Sequence, residues 1–271
     1  MRAVMRLPGP RGEGAGAERA SLRRILVDAL IAIAVGGLVV LAWEVKLLAA
    51  DLRPGTLGVD LHTYLTATRH WLATGSFYNP RQLAGPYAIE GASSTYTGDI
   101  LYPPSTLLLF LPFLVLPQVL WWGIPAGIVG YAVWRHRPAL WAWPLIVACL
   151  AWPGSLGVIV HGNPAIWVTA AVALATLYGW PAVLVLLKPT FAPYALVGVH
   201  RRSWWLALGG LVLISLPFGA LWLDWVRAAI VNPTNGSIEY SVAQMPLAML
   251  PLAAWAGSST RPVRLRVPST S

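Results

Sequence analysis

The sequence predicts an all-α, polytopic membrane protein, and three observations carry that prediction. First, 57% of its 271 residues are hydrophobic and only 11% are charged, where soluble domains carry roughly a quarter charged residues. Second, the apolar residues come in runs of helical length separated by short polar or basic stretches. Third, the net charge of +9 is scattered in clusters between those runs. A nucleic-acid-binding chain would gather its basic residues on one face, so these clusters are read as topology signals that stay in the cytosol. A single cysteine, Cys149, excludes an intramolecular disulfide.

Residues 1–24 are rich in Gly, Ala and Arg and read as a disordered basic cytosolic tail. Residues 25–257 form the predicted transmembrane domain, with about seven or eight apolar segments, and 258–271 a second basic tail. The first span, Ile25 to Leu48, is longer than the roughly 20 residues a bilayer needs. Arg19, Arg23 and Arg24 precede it, which keeps its start in the cytosol. Its N-terminal end is not read as a cleaved signal, because further apolar segments follow.

An outer loop, 51–101, comes next. Within it Leu61, Tyr64, Leu65, Thr68, Trp71 and Leu72 recur at helical spacing, the pattern of an amphipathic helix lying on the membrane surface. Gly75 and then Asn79-Pro80 end it. The stretch 91–99 is rich in turn formers.

From Tyr102 to Trp134 the chain is apolar but broken by prolines. Further segments are expected at 139–160, 164–178, 180–199, 204–223 and 245–256. Many tryptophans, among them Trp121, Trp122, Trp204, Trp222 and Trp225, fall near segment ends, where interfacial belts form. Two topologies fit between 102 and 199. Five crossings leave Arg135 and Arg137 outside. One Pro-bent crossing, followed by a re-entrant pair broken at Lys188-Pro189, keeps every basic cluster in the cytosol and places His161 outside, and is preferred.

The sequence offers no metal signature, Walker loop, dinucleotide fingerprint or nucleophile elbow, so no cofactor or metal is expected. Its polar residues at membrane-facing positions are few. Asp60 opens the amphipathic helix, where a carboxylate can cap free N–H groups or do chemistry. Lys188 follows an apolar run and precedes a proline, and a lysine at that depth either snorkels or has a partner or anionic ligand. His161-Gly162-Asn163-Pro164 interrupts two apolar runs as a turn, with His161 and Asn163 as candidate contacts.

In order and spacing these residues resemble glycosyltransferase family 87, the polyprenol-phosphate-mannose-dependent mannosyltransferase-like proteins of the GT-C superfamily. The match rests on Asp60 with Tyr64, Gly75 with Tyr78, Tyr102-Pro103-Pro104, Leu116-Pro117, Gly162-Asn163 and Lys188-Pro189. The turn departs from the family pattern, which favours Gln after the glycine, and the chain is shorter than most members, as expected of a short or truncated one.

The resemblance implies a GT-C fold and transfer of a hexose, mannose in that family, from a polyprenyl-phosphate donor to a lipid or glycan acceptor. Transfer would occur at the extracytoplasmic face of the cell membrane, with inversion. It implies Asp60 as general base and Lys188 as donor-phosphate contact, with Tyr64, Tyr102, His161 and Asn163 in substrate binding. A non-catalytic subunit that binds a lipid-linked sugar or scaffolds a partner stays open, and a transporter is disfavoured for want of paired halves. Partners are then the membrane, the lipid-linked donor and the acceptor, and no nucleic acid.

Overall fold

The computed structural model describes residues 13–51, 55–83, 100–152, 154–231 and 237–258. The turn-rich stretch 91–99 and the C-terminal tail beyond Ser258 lie outside the described residues. Among those described there is no strand; apart from one isolated bridge between Pro138 and Ser258, the regular structure is helical.

Helix α1 (Glu13–Asp51) is continuous, so half of the tail expected to be disordered is helical. Its sequence from Glu13 to Arg24 favours this, since Ala, Arg and Glu make up most of it and cost little in a helix. The segment Leu26–Lys46 is long and apolar enough to cross a membrane. Its apolar side chains, including Leu26, Ile31, Val35, Val39 and Trp43, stand exposed. Two bent pairs raise the number of membrane-capable elements to three if each is one span. These are Leu140–Leu150 with Ser155–His161, bent by 62°, and Arg202–Phe218 with Leu221–Ala229, bent by 100°.

Helix α2 (Val59–Thr74) forms where the periodicity predicts, and its apolar stripe packs on protein. Leu61, Tyr64, Leu65, Ala67 and Thr68 are buried in the main core of the protein. The same stripe that would face lipid finds protein instead: Tyr64 stacks on Phe110 with centroids 5.0 Å apart, and Trp71 meets Phe218. After the short α3 (Pro80–Leu83), the Gln82 carboxamide accepts from the Asn79 and Ile100 N–H groups and donates to the Ile100 carbonyl. One side chain thus pins the chain on both sides of residues 84–99.

The Pro-rich region is broken as expected. A helical run, Pro104–Leu114, contains α4 (Leu107–Phe110) between two tighter turns. Then α5 (Leu120–His136) runs through Pro125. Next come α6 (Trp143–Leu150), α7 (Ser155–His161) and α8 (Ala165–Tyr178), the last buried along most of its length. The segment expected at 180–199 is not one helix. It is a run of 3₁₀ turns, Trp180–Leu187, then a break at Lys188, a turn at Pro189–Phe191 and α9 (Ala192–Ala195). An eight-residue 3₁₀ run is long for that geometry and is the sort of place where chains hinge.

The chain closes with α10 (Arg202–Ser215), α11 (Leu221–Val226) and α12 (Ser237–Ala256). Helix α12 packs against α8, α6 and α5, and its far end is clamped. The Ala139 N–H donates to the Gly257 carbonyl at 2.8 Å. His136 Nε2 meets Thr176 Oγ1 at 2.8 Å, and Ser258 Oγ meets His136 Nδ1 at 3.1 Å. Because the Thr176 hydroxyl already donates to the Ala173 carbonyl, its oxygen accepts from His136 Nε2–H, which fixes the tautomer.

Several tryptophans expected in interfacial belts are instead internal donors. Trp121 is fully buried, and the Trp204, Trp222 and Trp225 indoles donate to the carbonyls of Ala195, Ser215 and Leu101. Each thereby satisfies its own buried or half-buried N–H within the protein.

Candidate active site

The turn at His161-Gly162-Asn163-Pro164 organises the site. Gly162 takes the left-handed conformation (φ 70°) and donates to the Ile159 carbonyl, while the Asn163 N–H donates to the Val158 carbonyl. This pair of bonds is a Schellman ending for α7, and Pro164 then prevents continuation. The Ile159 carbonyl takes a second donor, Trp122 Nε1–H at 2.6 Å, and two further carbonyls are met from elsewhere: Val160 by the Gly58 N–H at 2.8 Å and Gly162 by Trp121 Nε1–H at 2.8 Å. The bond from Gly58 matters most, because Gly58 begins α2 and so brings Asp60 beside Asn163.

Asp60 does not cap its helix. Gly58 occupies the N-cap and no side chain caps there. Asp60 lies in the first turn, where the helix dipole favours a carboxylate, and its Oδ2 accepts from Asn163 Nδ2 at 2.7 Å. Among the described residues its second oxygen accepts no bond.

Lys188 comes to the same point from the opposite side. A residue before proline is driven out of the helical region, and Lys188 has φ −127° and ψ 86°. Thr106 Oγ1 donates to the Leu187 carbonyl at 2.9 Å and steadies the break. Lys188 is only 5% exposed. It donates to Asn163 Oδ1 at 2.9 Å and to Gln244 Oε1, and it sits 5.6 Å and 5.0 Å from the ring centres of Tyr102 and Phe191. A buried ammonium needs such acceptors and π faces. Snorkelling is therefore replaced by an internal site.

Asn163 is the bridge. Its Oδ1 accepts from Lys188 and from the Ala165 N–H, and its Nδ2 donates to Asp60. The amide orientation follows, since an ammonium only donates and a carboxylate only accepts. Asp60 is the carboxylate whose charge acts on Lys188. The amide keeps the two charges in one network without direct contact between them.

The other expected residues divide. Tyr64 and Tyr102 lie edge to face with centroids 5.1 Å apart and their hydroxyls at 3.5 Å. Tyr78 donates to the Tyr102 carbonyl at 2.7 Å. Tyr102, Pro103 and Pro104 are buried, and of the three the Tyr102 ring faces the ammonium. His161 is half-buried at the end of α7, and its imidazole joins none of these bonds.

Gln244 was not expected. It ends a polar stretch just before the apolar run of α12, and only the fold brings it to Lys188. A cavity of about 110 Å³ flanks Lys188, lined also by Thr106, Pro164, Trp167 and Leu187. Asp60 and Tyr102 do not line it. No protein family's model matches this chain, and no curated protein or solved structure matches it either.

Proposed function

We propose that the protein is a polytopic membrane glycosyltransferase that moves a hexose, in the closest reading mannose, from a polyprenyl phosphate to an acceptor hydroxyl at the extracytoplasmic face. The observation that carries this reading is the Asp60–Asn163–Lys188 bridge. It gathers three residues of the family-87 resemblance, distant in sequence, into one network, with Asn163 and Lys188 buried and Asp60 half-buried. In this reading the shorter and broken helices are the remaining apolar segments, about seven or eight in all, and the Lys188-Pro189 break is the tip of a re-entrant pair.

The chemistry follows from the charges. The free oxygen of Asp60 takes the proton of the acceptor hydroxyl as that oxygen attacks the anomeric carbon. The bond from that carbon to the phosphate oxygen breaks, and the phosphate leaves with the electron pair. Lys188 opposes the charge that grows on it, in a dry site where a fixed cation acts strongly. Attack opposite the leaving group inverts the configuration. Asn163 spaces the base from the cation, so the carboxylate is not consumed in a direct ion pair. Neither metal nor cofactor has a role in these steps.

The cavity beside Lys188 is smaller than the roughly 300–1,000 Å³ of small-molecule pockets. Loading a hexosyl phosphate therefore requires its walls to part. The same closure favours a second reading, a non-catalytic subunit that holds a lipid-linked sugar. Incubating membranes with radiolabelled polyprenyl-phosphate-mannose separates the two. Label in an extracted product, lost in Asp60→Asn, is the expected result. Equal transfer by Asp60→Asn rejects the base, and no transfer with retained donor binding favours the subunit.

A further inference from the structure

Among the described residues, two buried side-chain donors have no hydrogen-bond partner: Gln244 Nε2 and Trp167 Nε1. Both adjoin Lys188. Gln244 accepts from its ammonium, and Trp167 lines the same cavity as Lys188. Gln244 is 2% exposed, so its amino group has no solvent to turn to, and a buried donor left unpaired is costly.

The orientation of this amide is forced. An ammonium has no acceptor to offer, so Oε1 must face Lys188 and Nε2–H₂ must point elsewhere. A flipped amide would set two donors against each other. The flanking cavity is lined mostly by apolar side chains, with Lys188 but not Gln244 among them. Nε2 only donates, so a ligand that reaches it as the walls part must bring acceptor oxygens, and one that satisfies Lys188 as well brings negative charge. Phosphoryl oxygens meet both needs.

We infer that Gln244 is a second phosphate-contacting residue: its Oε1 aims the Lys188 ammonium, and its Nε2–H₂ donates to an oxygen of the polyprenyl phosphate. This rests on the glycosyl-transfer reading of the site. It adds a residue from α12 to a set otherwise drawn from residues 60 to 188, and it gives the unpaired donor a partner.

The test is equilibrium binding of radiolabelled polyprenyl phosphate to the full chain in nanodiscs. Gln244→Glu keeps an acceptor for Lys188 and replaces the donor by an oxygen. Gln244→Met removes both polar atoms at similar length, with Gln244→Leu in its place should the methionine variant not fold. Each variant is expected to weaken binding about tenfold or more, the loss typical of a hydrogen bond to a charged group. Wild-type binding by Gln244→Met or Gln244→Leu overturns the inference even if Gln244→Glu is weak, since repulsion alone then explains the carboxylate. An arm with inorganic phosphate as competitor separates the sources. Weak competition marks the lipid headgroup as the ligand, and full competition marks free phosphate, with Gln244 a contact in either case. If the wild-type chain binds neither, the glycosyl-transfer reading fails and the inference falls with it.

Discussion

Trp121 donates its indole N–H to the carbonyl of Gly162 at 2.8 Å, from a fully buried position. With Trp122 beside it on Ile159, it holds the turn that presents Asn163. Trp121→Phe keeps the ring packing against Phe110, Phe113 and Trp167 but leaves that carbonyl without a donor. The expected cost is about 1–3 kcal/mol, read as a lower denaturation midpoint in detergent. Trp122→Phe, at a half-buried position, costs less.

Gly162 and Gly75 make a matched pair. Both have positive φ, 70° and 78°, but a Cβ on Gly162 would lie 3.1 Å from Trp122 Cζ2 and 3.2 Å from Leu61 Cβ, while one on Gly75 meets nothing within 4 Å. Gly75→Ala is expected to cost roughly 1–2 kcal/mol for the left-handed backbone alone. Gly162→Ala is expected to cost more, because neither the tryptophan nor the α2 backbone behind Leu61 yields freely. Parallel denaturation curves check the difference.

Asp60 and Lys188 are coupled through Asn163, and a double-mutant cycle measures that coupling. Asp60→Asn leaves a buried ammonium without its counter-charge, whereas Lys188→Met removes the charge and its desolvation together. The double variant should be more stable than the two single changes predict, by about 0.5–3 kcal/mol. Strict additivity in thermal unfolding would show that the two charges are independent.

Thr106→Val removes the hydroxyl that holds the Leu187 carbonyl at little change in shape. It should cost about 1 kcal/mol and loosen the 3₁₀ run before Lys188. Faster hydrogen–deuterium exchange at the Lys188 amide, which donates to the Val185 carbonyl, is the expected sign. Unchanged exchange there would remove Thr106 from the site's support.

How much of this was legible in the sequence depended on range. The helix at Val59–Thr74, the turn at Gly162 and the break before Pro189 are local, and periodicity, glycine and proline announce them. What covers the apolar stripe of α2 is not local. Leu61 and Leu65 read the same against lipid or against a protein core, so periodicity alone did not show that protein covers the stripe. Trp121 likewise reads as an interfacial residue until the Gly162 carbonyl is found beside it. Gln244 carried the weakest signal, a lone amide at the edge of a polar stretch, because its meaning lies wholly in Lys188.

The order of these residues along the chain also sets a schedule. Asp60 is made early, but Asn163, Lys188 and finally Gln244 emerge only as later helices are synthesised. Until α12 arrives the Lys188 ammonium lacks one of its acceptors, and until α8 begins Asp60 lacks its donor. The site is therefore complete only once α12 has been made, and a nascent chain stalled before residue 244 would carry an unfinished charge centre for quality control to detect.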